Sequence, residues 1–353
     1  MVRKGEIVVA LQIATTYIGT VVGAGFASGQ EVLQFFTRHG PAALAAIGLT
    51  GVLFFALGVY ALSLGRVHGV RTFGEVAATC MSPRSRRALG VLLVVLLFGV
   101  TVAMLAGSGA LLREQFGIPF SAGALFTVAL TFVTLVAGLR GMMSANVIIV
   151  PLMIGLVATI GFLTFWRAGH MILPIFPAVS PAVAPWRIIV SACTYAGFNI
   201  GLSLTVLVPL GRVPMSRNSL LAGALLGAAC LTGLLAILHL LLVSMYPHAF
   251  VFEIPMGYIA SRLPPLLRYG FVCVLWGEIY STLLGNVFGM ASELTARHPR
   301  YFLPVVAVIL TVAFGVCQIG FAHIVSMAYP VFGYLGLLIL AVLLLSERRI
   351  LRL

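Results

Sequence analysis

Two stretches of the sequence could hold a small polar ligand, mainly through their backbone. Thr16-Tyr17-Ile18-Gly19-Thr20-Val21-Val22-Gly23 and Thr194-Tyr195-Ala196-Gly197-Phe198-Asn199-Ile200-Gly201 both read T-Y-x-G-x-x-x-G, 178 residues apart. The first runs on into Ala24-Gly25-Phe26-Ala27-Ser28-Gly29-Gln30-Glu31. A glycine costs about 1 kcal/mol relative to alanine inside a helix. Glycines gathered in the middle of two apolar, matched segments therefore predict helices broken there. A break frees N–H and C=O groups where water is scarce, and those groups must find protein or ligand partners. Helix ends add partial charges that favour charged groups. Both stretches also fit the small-x-x-x-small pattern of close helix contact, but its occurrence in two related copies favours breaks. Tyr195, Phe198 and Asn199 fall in the second stretch. The aromatics would shape and close a pocket, and Asn199 would orient a carboxylate or amine or satisfy broken backbone.

The elements that must position these groups follow from composition. Of 353 residues, 61% are hydrophobic and 8% charged, against about 25% charged in a soluble domain. A solvated surface cannot be made from so few charges. The chain divides instead into stretches near the roughly 20 apolar residues needed to cross a bilayer. Ten spans are expected, at about 7–37, 41–65, 88–112, 119–139, 143–166, 187–210, 217–246, 266–294, 301–319 and 322–345, here numbered helices 1 to 10. With the N-terminus inside, the inside segments hold Arg3, Lys4, Arg66, Arg71, Arg84, Arg86, Arg87, Arg140, Arg212, Arg217, Arg297, Arg300, Arg348, Arg349 and Arg352. The outside segments hold Arg38, Arg113, Arg167, Arg187, Arg262 and Arg268. Fifteen against six obeys the positive-inside rule and sets both termini in the cytoplasm. An early basic pair before an apolar run also resembles a signal peptide, but the repeat makes that run part of the working protein.

Other pairs support the repeat. Leu97-Phe98-Gly99 matches Leu275-Trp276-Gly277 at the same offset, Leu105 and Gly107 match Leu283 and Gly285, and Pro151 and Pro330 lie 179 apart. Each half has five helices, so the second enters the membrane from the opposite side. This is a five-plus-five inverted repeat: a single transmembrane domain over 1–353, with repeat 1 at about 7–168 and repeat 2 at about 187–345.

At Thr16 to Glu31, and along nearly the whole chain, the sequence resembles the YkvI family of bacterial membrane proteins. That family looks like a branch of the amino acid–polyamine–organocation superfamily, which has the LeuT fold. The resemblance implies an all-α polytopic protein with helices 1 and 6 unwound around a substrate, working by alternating access. It implies a substrate site at Thr20, Gly23, Ala24, Gly25, Tyr195, Gly197, Phe198 and Asn199. It further implies a sodium site made by the carbonyls of Gly19 and Val22 and the hydroxyls of Ser281 and Thr282. Glu278 departs from that pattern. It lies one turn before Ser281 and Thr282, on their face. It would add charge to a cation site, accept a proton in a proton-coupled carrier, or serve as a satisfied structural acceptor.

Gln30 and Glu31 are candidates for an outer gate with Arg38 or Arg187, or for interfacial charges in a wet vestibule. His239 reads as a packed neutral histidine and Glu253 as structural. The apolar outer segment 247–265 is expected to cap the vestibule or re-enter the membrane, and 66–87 to lie at the interface. The five cysteines show no ligand spacing, so neither a metal site nor a disulfide framework is expected. The scattered arginines exclude a nucleic-acid surface, and no protein partner is expected. No nucleotide-binding motif or convergent catalytic group stands out, which ranks an enzyme last. The expected function is secondary transport of a small polar solute, an amino acid or related compound, in the bacterial plasma membrane. No cofactor is expected apart from Na+ as coupling ion, with H+ the alternative. A non-transporting receptor of the same fold is the competing reading.

Overall fold

The computed structural model describes residues 4–69, 74–75, 82–137, 142–168, 184–213, 216–295 and 298–346. Most of the expected interfacial loop at 66–87 therefore lies outside the described residues. The described chain is all helix and turn, without strands. Its α-helices are α1 (Lys4–Val21), α2 (Ala24–Ser28), α3 (Gln30–Phe35), α4 (Ala43–His68), α5 (Pro83–Phe116), α6 (Phe120–Ala137) and α7 (Met142–Ala168). The second half holds α8 (Pro185–Gly211), α9 (Arg217–Ser244), α10 (Pro255–Ser261), α11 (Pro265–Leu294), α12 (Phe302–Cys317) and α13 (Phe321–Ser346). Each expected span is helical over most of its described length. Among the described residues, seven helices are long and apolar enough to cross a membrane, and Glu6–Val21, Phe120–Val136 and Pro151–Thr164 are shorter apolar helices.

Local sequence explains the ends. Proline opens α8, α10 and α11, where its missing N–H costs no hydrogen bond. The Ser216 hydroxyl caps α9 by accepting from Ser219 N at 3.1 Å. Large apolar side chains such as Val52, Phe126, Val133, Trp166, Val308 and Met327 stay exposed around the bundle, a surface suited to lipid rather than water. Inside, threonine hydroxyls return to their own helices, as in Thr50 to Ala46 O and Thr131 to Thr127 O.

The packing obeys the exchange expected of an inverted repeat. α1 lies on α9 as α8 lies on α4, and α5 on α6 as α11 on α12. α5 meets α13 as α11 meets α7, while α5 and α11 face each other at the centre. One relation is unequal. α13 packs along the length of α8, whereas among the described residues α7 touches α1 only slightly.

Candidate functional site

The first expected helix is broken twice. The last backbone bond of α1 runs from Val22 N to Ile18 O, 2.8 Å, and the first of α2 from Ala27 N to Gly23 O, 2.9 Å. Between them Gly23 is extended, at φ −123° and ψ −175°. The carbonyls of Gly19 to Val22 and the N–H groups of Gly23 to Phe26 thus lie outside the backbone ladder among the described residues. The second interruption is Gly29, at φ 80°, a left-handed conformation that favours glycine. Met256 of α10 presses on this turn, so a side chain at Gly29 would meet it. The segment expected to cap the outer end therefore does pack on α2, through α10.

The second break is absent, which corrects the expectation for helix 6. α8 runs unbroken from Pro185 to Gly211. A Cβ at Gly197 would lie 2.8 Å from Gly333 O and 2.6 Å from Leu337 Cγ, and one at Gly201 would lie 3.0 Å from Gly336 Cα. These glycines let α13 approach α8 backbone to backbone, so the small-x-x-x-small reading holds here. Gly197 consequently faces α13 and not a cleft. The Asn199 amide donates to Tyr195 O at 3.0 Å, and Ser203 Oγ donates to Asn199 O at 2.8 Å; Asn199 satisfies its own helix. Phe198 packs on Tyr329 and Phe332 of α13, with ring centroids at 4.9 and 6.1 Å.

Of the expected helix 6 set, Tyr195 makes a polar contact with the segment that follows the break. Its hydroxyl donates to Glu31 Oε2 at 3.3 Å. Its ring is packed by Phe35, Phe36 and Phe54 at 5.1, 4.9 and 6.0 Å. Glu31 is 5% exposed and folds back so that its carboxylate covers Gly25. It is therefore not an interfacial charge, and no pairing with Arg38 or Arg187 forms. Both arginines are exposed, and Arg187 lies over the Trp186 ring at 5.5 Å. Gln30 is also buried, with Oε1 unpartnered. A cavity of about 340 Å³ opens beside this cluster, lined by Gln34, Phe35, His39, Arg187, Ser191 and Thr194 among others.

On α11, Glu278 is 2% exposed and its Oε2 has no hydrogen-bond partner. Ser281 Oγ donates to Glu278 O at 3.1 Å, while Thr282 is half-buried on the same face. Two turns from Glu278, the Asn286 amide nitrogen is likewise buried and unpartnered. α11 packs against α2, the helix that follows the break. His239 packs as expected, its Nδ1 3.1 Å from Thr37 Oγ1. Among the described residues no cluster of His, Cys, Asp or Glu could hold a metal by that chemistry.

Sequence reasoning missed the clamp at the far end of α5. Arg113 pairs with Glu253 Oε1, and Glu114 accepts from Glu253 N at 2.7 Å and Ile254 N at 3.2 Å. Glu253 Oε2 in turn accepts from Phe321 N at 2.6 Å, tying the 247–265 segment to the start of α13. The signal was the polar triplet Arg113-Glu114-Gln115 ending an apolar span. Tyr329, buried with its hydroxyl unpartnered, carried no such signal.

No family model matches the chain. It is 30% identical over 340 residues to the membrane protein YkvI of Bacillus subtilis (strain 168), covering 96% of each chain. It is 25% identical over 338 residues to YyaD of the same organism, covering 93% of this chain and 94% of that one. Among solved structures it resembles MhsT in complex with L-phenylalanine, with TM-score 0.67, 15% identity, and coverage of 96% of this chain and 91% of that one. It also resembles the inward-facing conformation of Mhp1, with TM-score 0.63, 13% identity, and coverage of 97% and 76%. The chain belongs to the YkvI family of multi-pass membrane proteins and has the LeuT fold.

Proposed function

We propose that this protein is a secondary active transporter of a small polar solute, an amino acid or related compound, and not an enzyme. It works by alternating access, coupled to Na+ or H+, in the bacterial plasma membrane with both termini in the cytoplasm. The observation that carries this reading is the break between α1 and α2, with its freed carbonyls and amides. Such groups inside a membrane bundle call for a polar ligand. L-phenylalanine bound to MhsT, a protein of the same fold, supports an amino acid as solute.

The coupling ion is assigned to the carbonyls of Gly19 and Val22 with Glu278, Ser281 and Thr282. Two features support that assignment. The Gly19 and Val22 carbonyls are free of backbone bonds, and Glu278 Oε2 is buried without a partner. An all-oxygen set of this kind suits a hard cation such as Na+. The same carboxylate could take a proton instead.

Uptake by purified protein in lipid vesicles tests both points. Labelled amino acids are offered with an inward sodium gradient, or with choline replacing sodium and an inward proton gradient. Accumulation driven by one gradient supports the reading and names the ion. Binding without accumulation under either gradient makes the protein a receptor.

A further inference from the structure

The geometry points to Glu31 as the group that recognises the solute, by pairing its carboxylate with a protonated amino nitrogen. This deepens the transport reading and rests on it.

The buried charge is one-sided. Glu31 and Glu278 are buried, whereas no Arg or Lys is buried among the described residues. A buried carboxylate without a counter-charge is costly, and the cost falls when a cation pairs with it. Glu31 has Tyr195 as its hydrogen-bond donor, and no ion pair reaches it among the described residues. It lies where two parts of the bundle meet: Gly25 of α2 beneath it and Tyr195 of α8 beside it.

The surroundings choose between kinds of cation. Beside Glu31 stands Tyr195, whose ring is packed by those of Phe35 and Phe36. Aromatic faces and one carboxylate suit an organic ammonium group. A hard metal cation needs about six oxygen ligands, whereas the polar partner of the Glu31 carboxylate among the described residues is the single hydroxyl of Tyr195. The 340 Å³ cavity supplies an approach. Phe35 lines it and packs on Tyr195 at 5.1 Å, so one ring separates the cavity from the Tyr195–Glu31 pair. The amides of Gly23 to Phe26 are free to take a carboxylate when the solute has one. The nitrogen is the required feature.

The test uses the purified full-length protein and matched compounds: the twenty standard amino acids, the amines left by their decarboxylation, and their 2-hydroxy acid counterparts. Binding is read as thermal stabilisation. Amino acids or amines should stabilise the protein and the matching hydroxy acids should not. Glu31→Gln should weaken that binding by at least about thirtyfold, Glu31→Asp should restore part of it, and Tyr195→Phe should weaken it less than Glu31→Gln. Should Glu31→Gln fail to give a monodisperse protein, the Asp and Phe variants carry the comparison: unchanged affinity in both overturns the proposal. Equal binding of a hydroxy acid, amine binding untouched in Glu31→Gln, or no stabilising compound in the set also overturns it. Stabilisation by sodium chloride over choline chloride, without solute and lost in Glu31→Gln, would place a metal ion there and overturn it too. Vesicle uptake separates this proposal from the transport reading. Amine binding that depends on Glu31 without uptake ends the transporter and spares Glu31. Uptake of a hydroxy acid unaffected by Glu31→Gln does the reverse.

Discussion

The segment α1–α3 and the helix α8 begin from the same T-Y-x-G-x-x-x-G pattern, and only the first comes apart. Their neighbours account for the difference. Around Gly23, chain neighbours aside, the space where a side chain would begin is open, and there the backbone turns extended. At Gly197 and Gly201 the backbone of α13 fills the space, through Gly333 and Gly336. Close contact along two helices outweighs the propensity cost of two glycines, about 2 kcal/mol together. The pair teaches that small residues at four-residue spacing mark a place where a helix can open or another can approach, and the partner helix selects which. The unequal packing of α13 on α8 and α7 on α1 is the same difference at larger scale.

The comparison can be broken most directly at its tightest point. A Cβ at Gly336 would fall 2.0 Å from Gly197 O. Gly336→Ala should therefore cost about 3 kcal/mol by overpacking, seen as a lower thermal midpoint. Gly23→Ala should change stability by less than about 0.5 kcal/mol, because its backbone conformation is open to any residue, yet weaken solute-dependent stabilisation. Equal losses in the two variants would mean the glycines do the same job. Glu278→Gln should leave the fold intact and reduce gradient-driven uptake by about tenfold or more, with solute binding in the absence of the ion less affected.

Smaller effects sharpen the contrast. Glu253→Ala removes the carboxylate that receives Phe321 N and pairs with Arg113. It should loosen the start of α13 and cost about 1 kcal/mol, measured as faster hydrogen exchange at the first turns of α13 with α1–α3 unchanged. Asn199→Ala should cost about 1 kcal/mol or less and leave solute affinity unchanged, since its amide bonds within α8. A large loss of affinity would return Asn199 to the binding site.

Much of the architecture was legible because it follows from hydrophobicity along the chain. Apolar length marked the helices, and matched residues 178 apart marked the repeat. Gly23 and the glycine-rich run after it marked the true break. Glu31 was visible as a charge but misplaced. Counting from the break puts it near the membrane surface, whereas the left-handed turn at Gly29 redirects the chain and the side chain folds back over Gly25. The clamp of Arg113, Glu114 and Glu253 joins residues about 140 positions apart, a separation that no local pattern reports.

Taken by itself, the sequence determined that the chain must live in lipid, that it has two related halves, and that one glycine-rich helix cannot continue through the middle of its span. Each follows from properties a residue carries everywhere: transfer energy, helix propensity and periodicity. Only the tertiary structure decided that α8 stays whole, that Tyr195 meets Glu31, and that Glu278 is buried without a hydrogen-bond partner for Oε2. Those outcomes depend on which surface lies opposite, and a backbone groove, a ring or an empty space opposite the same residue leads to different physics.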